Sequence, residues 1–307
     1  MFMRYQRERP KIPTSFTMIE SKYNNNSQSH IFSNILFTQV GSDNLPLIRF
    51  PGLAQYQELL HFITTRQGGY SEKPFHTFNL ASHVGDRPEF VHKNRLKLAQ
   101  SLGITMRHFV FADQRHGTNV SLIDYRERNN GISSSTQVSS DSDALITTCR
   151  EVCLLIFIAD CVPVLLFDRK KKVIALVHAG WKGTIGLISQ KTVQLMQSHY
   201  NSQAQDIICS IGPSIGPCCY QVGREVLVRV RESFPEEENL IISRSTGEKA
   251  FFDLWQANKI QLLRCGIPQE NIEIAGLCTS CHSDLFFSNR KEQPHTGRFA
   301  AGIMLRK

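Results

Sequence analysis

From about residue 46 onward the chain reads as short runs of Val, Ile, Leu and Phe, separated by polar stretches holding Gly, Pro, Asn or Ser. Runs of that length and composition predict strands buried on both faces. "LLHFITT" predicts a strand that enters the Gly-Gly turn of "RQGGYS", and "RHFVFA" predicts one that ends at the turn "DQRHGTNV". "ALITT", "CLLIFIAD", "VIALVHAG", "DIICSIG", "NIEIAG" and "RFAAGIML" predict further strands. Between them the period changes. "PEFVHKNRLKLAQSLGI" places Val91, Leu98 and Leu102 on one helical face and offers Gly103 as a stop. "GTIGLISQKTVQLMQSHY" predicts a helix capped by Thr184. "REVLVRVRESF" predicts another, and "FFDLWQANKIQLLRCGI" one capped by Asp253 and ended by Gly266. The polar connection "DRKKK" predicts a hairpin that sets the run around Cys161 beside the run that ends at His178. No repeat and no linker interrupts residues 46–307. They are expected to form a single α+β domain of mixed β-sheets covered by helices. Residues 1–45, with "MFMRYQRERPKIPTSF" and "SKYNNNSQSH", are polar and aperiodic and read as a loosely ordered extension. "RERNNGISSSTQVSSDSD" reads as a Ser/Asn-rich loop.

Composition narrows the class. A hydrophobic content of 41% against 20% charged residues in 307 excludes a disordered chain. No apolar run approaches the roughly 20 residues of a membrane-spanning helix, and the N-terminus lacks the apolar core of a signal peptide. Nine cysteines, an odd and scattered set, read as reduced thiols in a cytoplasmic protein. The formal charge of +8 is spread along the chain. Without a nucleic-acid motif that charge reads as a solvated basic surface that attracts small anionic substrates, and not as a nucleic-acid partner.

The candidate chemistry lies where apolar runs give way to turns. Cys161 and His178 stand at two such places, as a catalytic dyad, two ligands of one metal, or a plain buried thiol and core histidine. His116, beside Gly117, is a third donor. Three protein ligands and an open position is the arrangement of catalytic zinc, and thiolate with imidazole also suits copper. "HAGWKGT" starts a helix whose free N–H groups, with Lys182, suit an anion. Cys278 and Cys281 form a C-x-x-C with no second pair at matching spacing, since Cys218 and Cys219 are adjacent. "GPSIGPCCYQVG" reads as a structural Gly/Pro turn.

Taken together and in order, "HG" at 116–117, "ADCVPVLLFD", "HAGWKGT" and "GPSIGPCCYQVG" resemble the laccase-domain family, also called YfiH-like or multicopper-polyphenol-oxidase-like. "TTRQGGYS", "FNLASHVGD", "DALIT" and "FFSNR…TGR" are similar to its pattern as well, so the likeness covers roughly 60–307. The resemblance implies an α/β/β/α layered fold, distantly similar to Cys–His deamidases. It implies a metal, zinc or copper, on His116, Cys161 and His178 as the catalytic set. It implies phosphorolysis of purine nucleosides (adenosine, inosine, methylthioadenosine) and deamination of adenosine, in a monomer or small homo-oligomer. Arg66 and Lys182 are then candidates for phosphate, and Asn79 and His83 for the ribose or for orienting the ligands. Asp160, beside Cys161, is a candidate supporting carboxylate. The stretch between His116 and Cys161 is longer than the family pattern, and the 1–45 extension is unusual. Two rivals remain at this stage: a metal-free Cys–His hydrolase, and a non-catalytic metal-binding factor linked to peptidoglycan editing. A multicopper oxidase needs clustered histidines, and the eleven here are dispersed.

Overall fold

A computed structural model describes residues 35–42, 44–124, 137–138, 141–244, 249–292 and 295–307. The predicted extension up to residue 34 and most of the Ser/Asn-rich loop lie outside the described residues. Three sheets carry the strands. The first has seven strands in the order β1 (Leu36–Val40), β2 (Leu45–Arg49), β3 (Leu59–Thr64), β16 (Phe299–Leu305), β8 (Cys153–Ile158), β4 (Phe109–Ala112) and β6 (Gln137–Val138). The second has six, β15 (Ile272–Ile274), β11 (Ile207–Ile211), β9 (Val162–Asp168), β10 (Val173–Ala179), β7 (Ala144–Thr147) and β5 (Val120–Leu122). A small third sheet joins β12 (Gln221–Val222), β14 (Ala250–Phe252) and β13 (Ile242–Arg244). The helices are α1 (Pro51–Ala54), α2 (Pro88–Ser101), α3 (Trp181–Ile185), α4 (Ile188–Tyr200), α5 (Arg224–Ser233), α6 (Glu238–Ile241), α7 (Leu254–Arg264) and α8 (Asn289–Glu292).

The apolar runs explain the layering. In a strand, successive side chains point to opposite faces. Along β9 and β10, Leu165, Phe167, Ile174 and Leu176 pack against Ile63, Leu154, Ile156 and Ile303 of the seven-stranded sheet. The alternate residues Val164, Leu166, Ala175 and Val177 pack against Val193 and Met196 of α4 and Leu254 and Ala257 of α7. On the far side of the seven-stranded sheet, Phe62, Leu155 and Met304 pack against Leu98 and Ala99 of α2. The result is helix, sheet, sheet, helix, as the resemblance implies. Each large side chain fully buried in these layers contributes about 1.5–3 kcal/mol, so the sheet ends that carry the site are rigid supports.

Three local readings change. The run through Cys161 is not one strand. It splits at Asp160, where φ is +85°, into β8 in one sheet and β9 in the other. The hairpin expected through "DRKKK" is therefore β9–β10, with His178 opposite Pro163 and Ala179 opposite Val162. Thr184 does not cap the following helix. It is buried inside α3, where its Oγ1 accepts from Asn258 Nδ2, and α4 starts only after Leu187 in the left-handed region. A Cβ at Gly186 would overlap the Thr118 side chain, so the chain passes there only as glycine and turns. Finally, β1 lies within the stretch read as extension, because its five residues pair antiparallel with β2 from Leu36↔Arg49 to Val40↔Leu45. Asp253 does cap α7, accepting from Gln256 N, and Gly266 ends it at φ +83°.

Candidate active site

The β9–β10 register brings one end of the hairpin together. Cys161 directly precedes β9, and His178 is the sixth residue of β10, on the face shared with Ile174 and Leu176. His116 arrives from the turn after β4 with φ +59°, a conformation costly for a non-glycine residue and held by its neighbours. One ligand atom from each of His116, Cys161 and His178 lies within 4.8 Å of the others. The two imidazoles meet edge to face at 4.9 Å between centroids. Gly180 makes room: a Cβ there would stand 3.1 Å from Cys161 Sγ and 3.1 Å from His116 Cδ2.

The group that organises this cluster is Asp143, which the sequence reading left unassigned. It sits one residue before β7, opposite His178, and is fully buried. Its Oδ1 faces His178 Nδ1 at 2.8 Å and accepts from His116 N at 3.0 Å. Its Oδ2 accepts from Arg115 N at 3.2 Å and Gly117 N at 2.6 Å. One carboxylate thus shapes the His116 turn and orients the His178 ring. With Nδ1 committed to Asp143, His178 presents Nε2 to the thiol.

Electrostatics follow from that packing. Burial pushes the Cys161 thiol up, but the charge of His178 and hydrogen bonds from both imidazoles more than reverse this, and the thiol falls to about 6. For His178, burial works against the charged form, and Cys161 and Asp143 outweigh it, raising the imidazole to about 9. Burial also works against the Asp143 carboxylate, and the His178 hydrogen bond and charge lower it on balance. A thiolate between two imidazoles, one of them braced by a carboxylate, is a donor set that fits zinc, with copper also accommodated.

The remaining expected groups fare differently. Arg66 is 5% exposed; its Nη1 and Nε are engaged, and its buried Nη2 has no partner among the described residues. Nη1 donates to Glu292 Oε1 at 2.7 Å and Ser283 O at 2.6 Å, and Nε donates to His76 O at 3.1 Å. It also lies 4.4 Å over the Phe287 ring. Arg66 lines a surface depression of about 350 Å³ whose lining includes none of His116, Cys161 or His178. Asn79 is fully buried and spends its amide on Ala81 O, Asp86 Oδ2, Ala81 N and Arg298 N. Lys182 is exposed, with Nζ 5.6 Å from the Trp181 ring on a helix of only five residues. His83 is exposed, and its imidazole is lowered, by desolvation first and then by Arg298 and Arg95, with His116 also acting on it. Asp160 turns away from the imidazoles: Oδ1 accepts from Thr279 Oγ1 and Oδ2 from Arg290 N. The supporting carboxylate is Asp143 instead.

Two further residues feel the charge of the thiol. Burial lowers the half-buried Arg298 guanidinium, and the charges of Cys161 and Asp160 oppose that. Burial raises the Tyr220 phenol, and the Cys161 charge raises it further. Both lie in stretches of the family-like pattern, Tyr220 in "GPSIGPCCYQVG" and Arg298 in "TGR", but neither stands out there as a site residue. Arg298 directly precedes β16, and Tyr220 directly precedes β12.

The family model for multi-copper polyphenol oxidoreductase laccase matches residues 60–306. The chain belongs to that family. Within this laccase-like family, a purine nucleoside phosphorylase of Bacteroides thetaiotaomicron is 35% identical over 261 residues, 85% of this chain and 97% of the relative. An adenosine deaminase from an unknown prokaryotic organism is 32% identical over 242 residues, 79% of this chain and 92% of that protein. The crystal structure of the YfiH protein of Bacillus licheniformis superposes with a TM-score of 0.80 at 32% identity, covering 88% of this chain and 99% of that one. Among the described residues of this laccase-like chain, no helix is long and apolar enough to cross a membrane.

Proposed function

We propose that this protein is a metal-dependent purine nucleoside phosphorylase that also deaminates adenosine, with His116, Cys161 and His178 as metal ligands. The observation that carries the reading is the meeting of those three donors, with Asp143 bracing His178 through Nδ1. The names of the phosphorylase and deaminase relatives supply the substrate class. When bound there, zinc would supply Lewis-acid polarisation of the substrate.

The chain's own groups have separate tasks. Asp143 fixes the tautomer and angle of His178 and keeps the His116 turn closed. Cys161 stays ionised at neutral pH beside the imidazoles, as a ligand must. Arg298, which donates to Thr296 O and Gly297 O and feels the charges of Cys161 and Asp160, joins Arg66 as a candidate cation for phosphate. His83, exposed and with a lowered pKa, is neutral at pH 7 and serves to exchange a proton with a ribose hydroxyl or the leaving base. Tyr220, whose ring packs on Phe252 and has the Arg290 guanidinium 5.1 Å from its centroid, feels the Cys161 charge and is a candidate to border the base through its hydroxyl edge. In phosphorolysis a phosphate oxygen bonds C1′ as the C1′–N9 bond breaks. In deamination water adds at C6 and ammonia leaves.

A second reading rests on the same electrostatics. A lowered thiol, a raised imidazole and a buried carboxylate also make a Cys161–His178–Asp143 hydrolase triad. One assay separates them. Purified protein receives adenosine and phosphate, and the product bases are separated, with and without chelator and in Cys161→Ala. The metal-dependent reading expects adenine or inosine from the wild type, lost with chelator and in the variant. Product formation that survives both treatments overturns it. Full activity in chelator with loss on thiol alkylation selects the triad.

A further inference from the structure

A second group of donors lies outside the site just described. Cys218 and Cys219 belong to the loop that follows β11, and Cys278 and Cys281 to the segment that follows β15. The parallel pairing of β11 with β15 aligns Ile211 with Ile274 and sends both segments out of the same sheet edge. Ser214 and Cys278 continue the ladder, with Ser214 N donating to Leu277 O and Thr279 N to Ser214 O. The adjacent pair and the C-x-x-C pair thereby meet. All four Sγ atoms lie within 4.8 Å of one another. Cys281 Sγ is 3.6 Å from Cys218 Sγ and 3.4 Å from Cys219 Sγ, and all four residues are free thiols.

Those separations have a specific meaning. Thiolates bound to zinc stand about 2.3 Å from the ion, so the edges of a regular tetrahedron around it measure about 3.8 Å. The two Cys281 spacings, 3.6 and 3.4 Å, are close to that edge, and the others lie within 4.8 Å. Soft four-thiolate donor sets of this shape select zinc over harder cations. The surroundings suit an anionic centre. Gly216 N donates to Cys278 Sγ at 3.2 Å, a backbone N–H aimed at a sulfur. The Arg290 guanidinium is anchored next to the cluster, donating to Cys219 O at 3.4 Å and Gln221 O at 3.2 Å.

We infer that Cys218, Cys219, Cys278 and Cys281 form a closed tetrathiolate zinc site that staples the 212–222 and 276–282 segments together. Closed four-cysteine sites hold structure, with no position for substrate. What this one holds is the approach to the thiol. Thr279, inside the C-x-x-C, donates to Asp160 Oδ1 at 2.6 Å, and Ile215 N donates to Asp160 O at 3.0 Å. Asp160, at φ +85°, is the residue that turns the chain into Cys161. The staple therefore sets the position of the candidate active-site thiol from outside the site. This inference does not depend on the proposed activity.

The test counts metal. Wild-type protein and the Cys161→Ala and Cys161→Ala/Cys218→Ser/Cys281→Ser variants are purified without chelator, desalted and analysed for zinc and iron. The expected result is two zinc per chain in the wild type, one in Cys161→Ala and none in the triple variant. The cobalt-exchanged Cys161→Ala protein should show the strong visible absorption of tetrahedral cobalt thiolate. A zinc count of zero in Cys161→Ala overturns the inference and leaves the active-site metal standing. So does iron in place of zinc, or a mass two hydrogens lower from a disulfide within the cluster. A wild-type count of one that persists in Cys161→Ala supports the tetrathiolate site and removes the metal from the proposed chemistry instead. Circular dichroism checks the fold of the triple variant. If that variant does not fold, the count on Cys161→Ala alone decides.

Discussion

Asp143→Asn probes the arrangement at its most sensitive point. The carboxylate meets four N–H groups in a fully buried position: Oδ1 takes His116 N and His178 Nδ1, and Oδ2 takes Arg115 N and Gly117 N. Asparagine has one oxygen to offer. With its oxygen at the Oδ1 position, the amide NH2 confronts Arg115 N and Gly117 N, two donors against a donor. With the amide reversed, it confronts only His116 N, because His178 can switch tautomer and accept at Nδ1. The second arrangement leaves the part-buried His116 N–H without its partner, at about 1 kcal/mol, and gives up charge-assisted bonds each worth about 1.5–3 kcal/mol. A net loss of about 3 kcal/mol is expected. The tautomer switch has the larger functional effect, because it places the proton on Nε2, the atom that must face the metal. Loss of such a supporting partner typically lowers metal affinity 10–100-fold. The assay is competition for zinc against a chromophoric chelator, with urea unfolding in parallel. Wild-type zinc affinity in a folded Asp143→Asn protein would refute the reasoning.

Three other outcomes are expected. Gly180→Ala forces Cys161 Sγ and His116 Cδ2 to yield a few tenths of an ångström from 3.1 Å contacts, at a φ of −67° that alanine accepts. Metal sites tolerate about 0.2 Å in ligand position, so zinc affinity should fall at least about 10-fold while the melting temperature holds. Arg66→Ala removes one partner of a largely buried ion pair together with its carbonyl contacts, and should cost about 3 kcal/mol in urea unfolding. Acid stability should depend on His61, which is fully buried, accepts from Phe50 N, and is pushed down to about 3 by burial and then Arg49. The unfolded imidazole takes up its proton near 6.5 and the folded one only near 3. Stability is therefore intact above about 6.5 and is lost as pH falls, by about 5 kcal/mol once both forms are protonated and about 3 kcal/mol by pH 4. His61→Gln keeps an acceptor for Phe50 N but cannot titrate, so its unfolding free energy should fall about 3 kcal/mol less between pH 7 and pH 4. Parallel curves for the two proteins would contradict this.

The parts legible in the sequence are the local ones. Strand runs, the Asp253 cap and the Gly266 stop depend on neighbours along the chain, and they lie where the pattern puts them. Cys161 and His178 stood out because reactive side chains interrupt apolar runs, and β9–β10 is a hairpin of near neighbours. Asp143 did not stand out, because it is one acid in "SDSD" and gains its role only through a cross-strand position opposite His178. Arg66 and Asn79 resemble ligand groups by type alone, but part of their hydrogen bonding goes to the 283–298 segment, distant in sequence. The four-cysteine cluster was hidden for the same reason, because spacing rules look along the chain, and here two pairs meet through the β11–β15 ladder. The split at Asp160 falls where Asp160 and Cys161 interrupt the apolar residues, leaving β8 in one sheet and β9 in the other.

The most direct test of the central claim is anomalous diffraction across the zinc edge from crystals of zinc-loaded protein. The account predicts a peak bonded at once to an imidazole nitrogen of His116, Sγ of Cys161 and Nε2 of His178, at about 2.0–2.3 Å from each. Zinc-loaded crystals with no peak among those three atoms, or with Cys161 outside bonding distance of the ion, would contradict it.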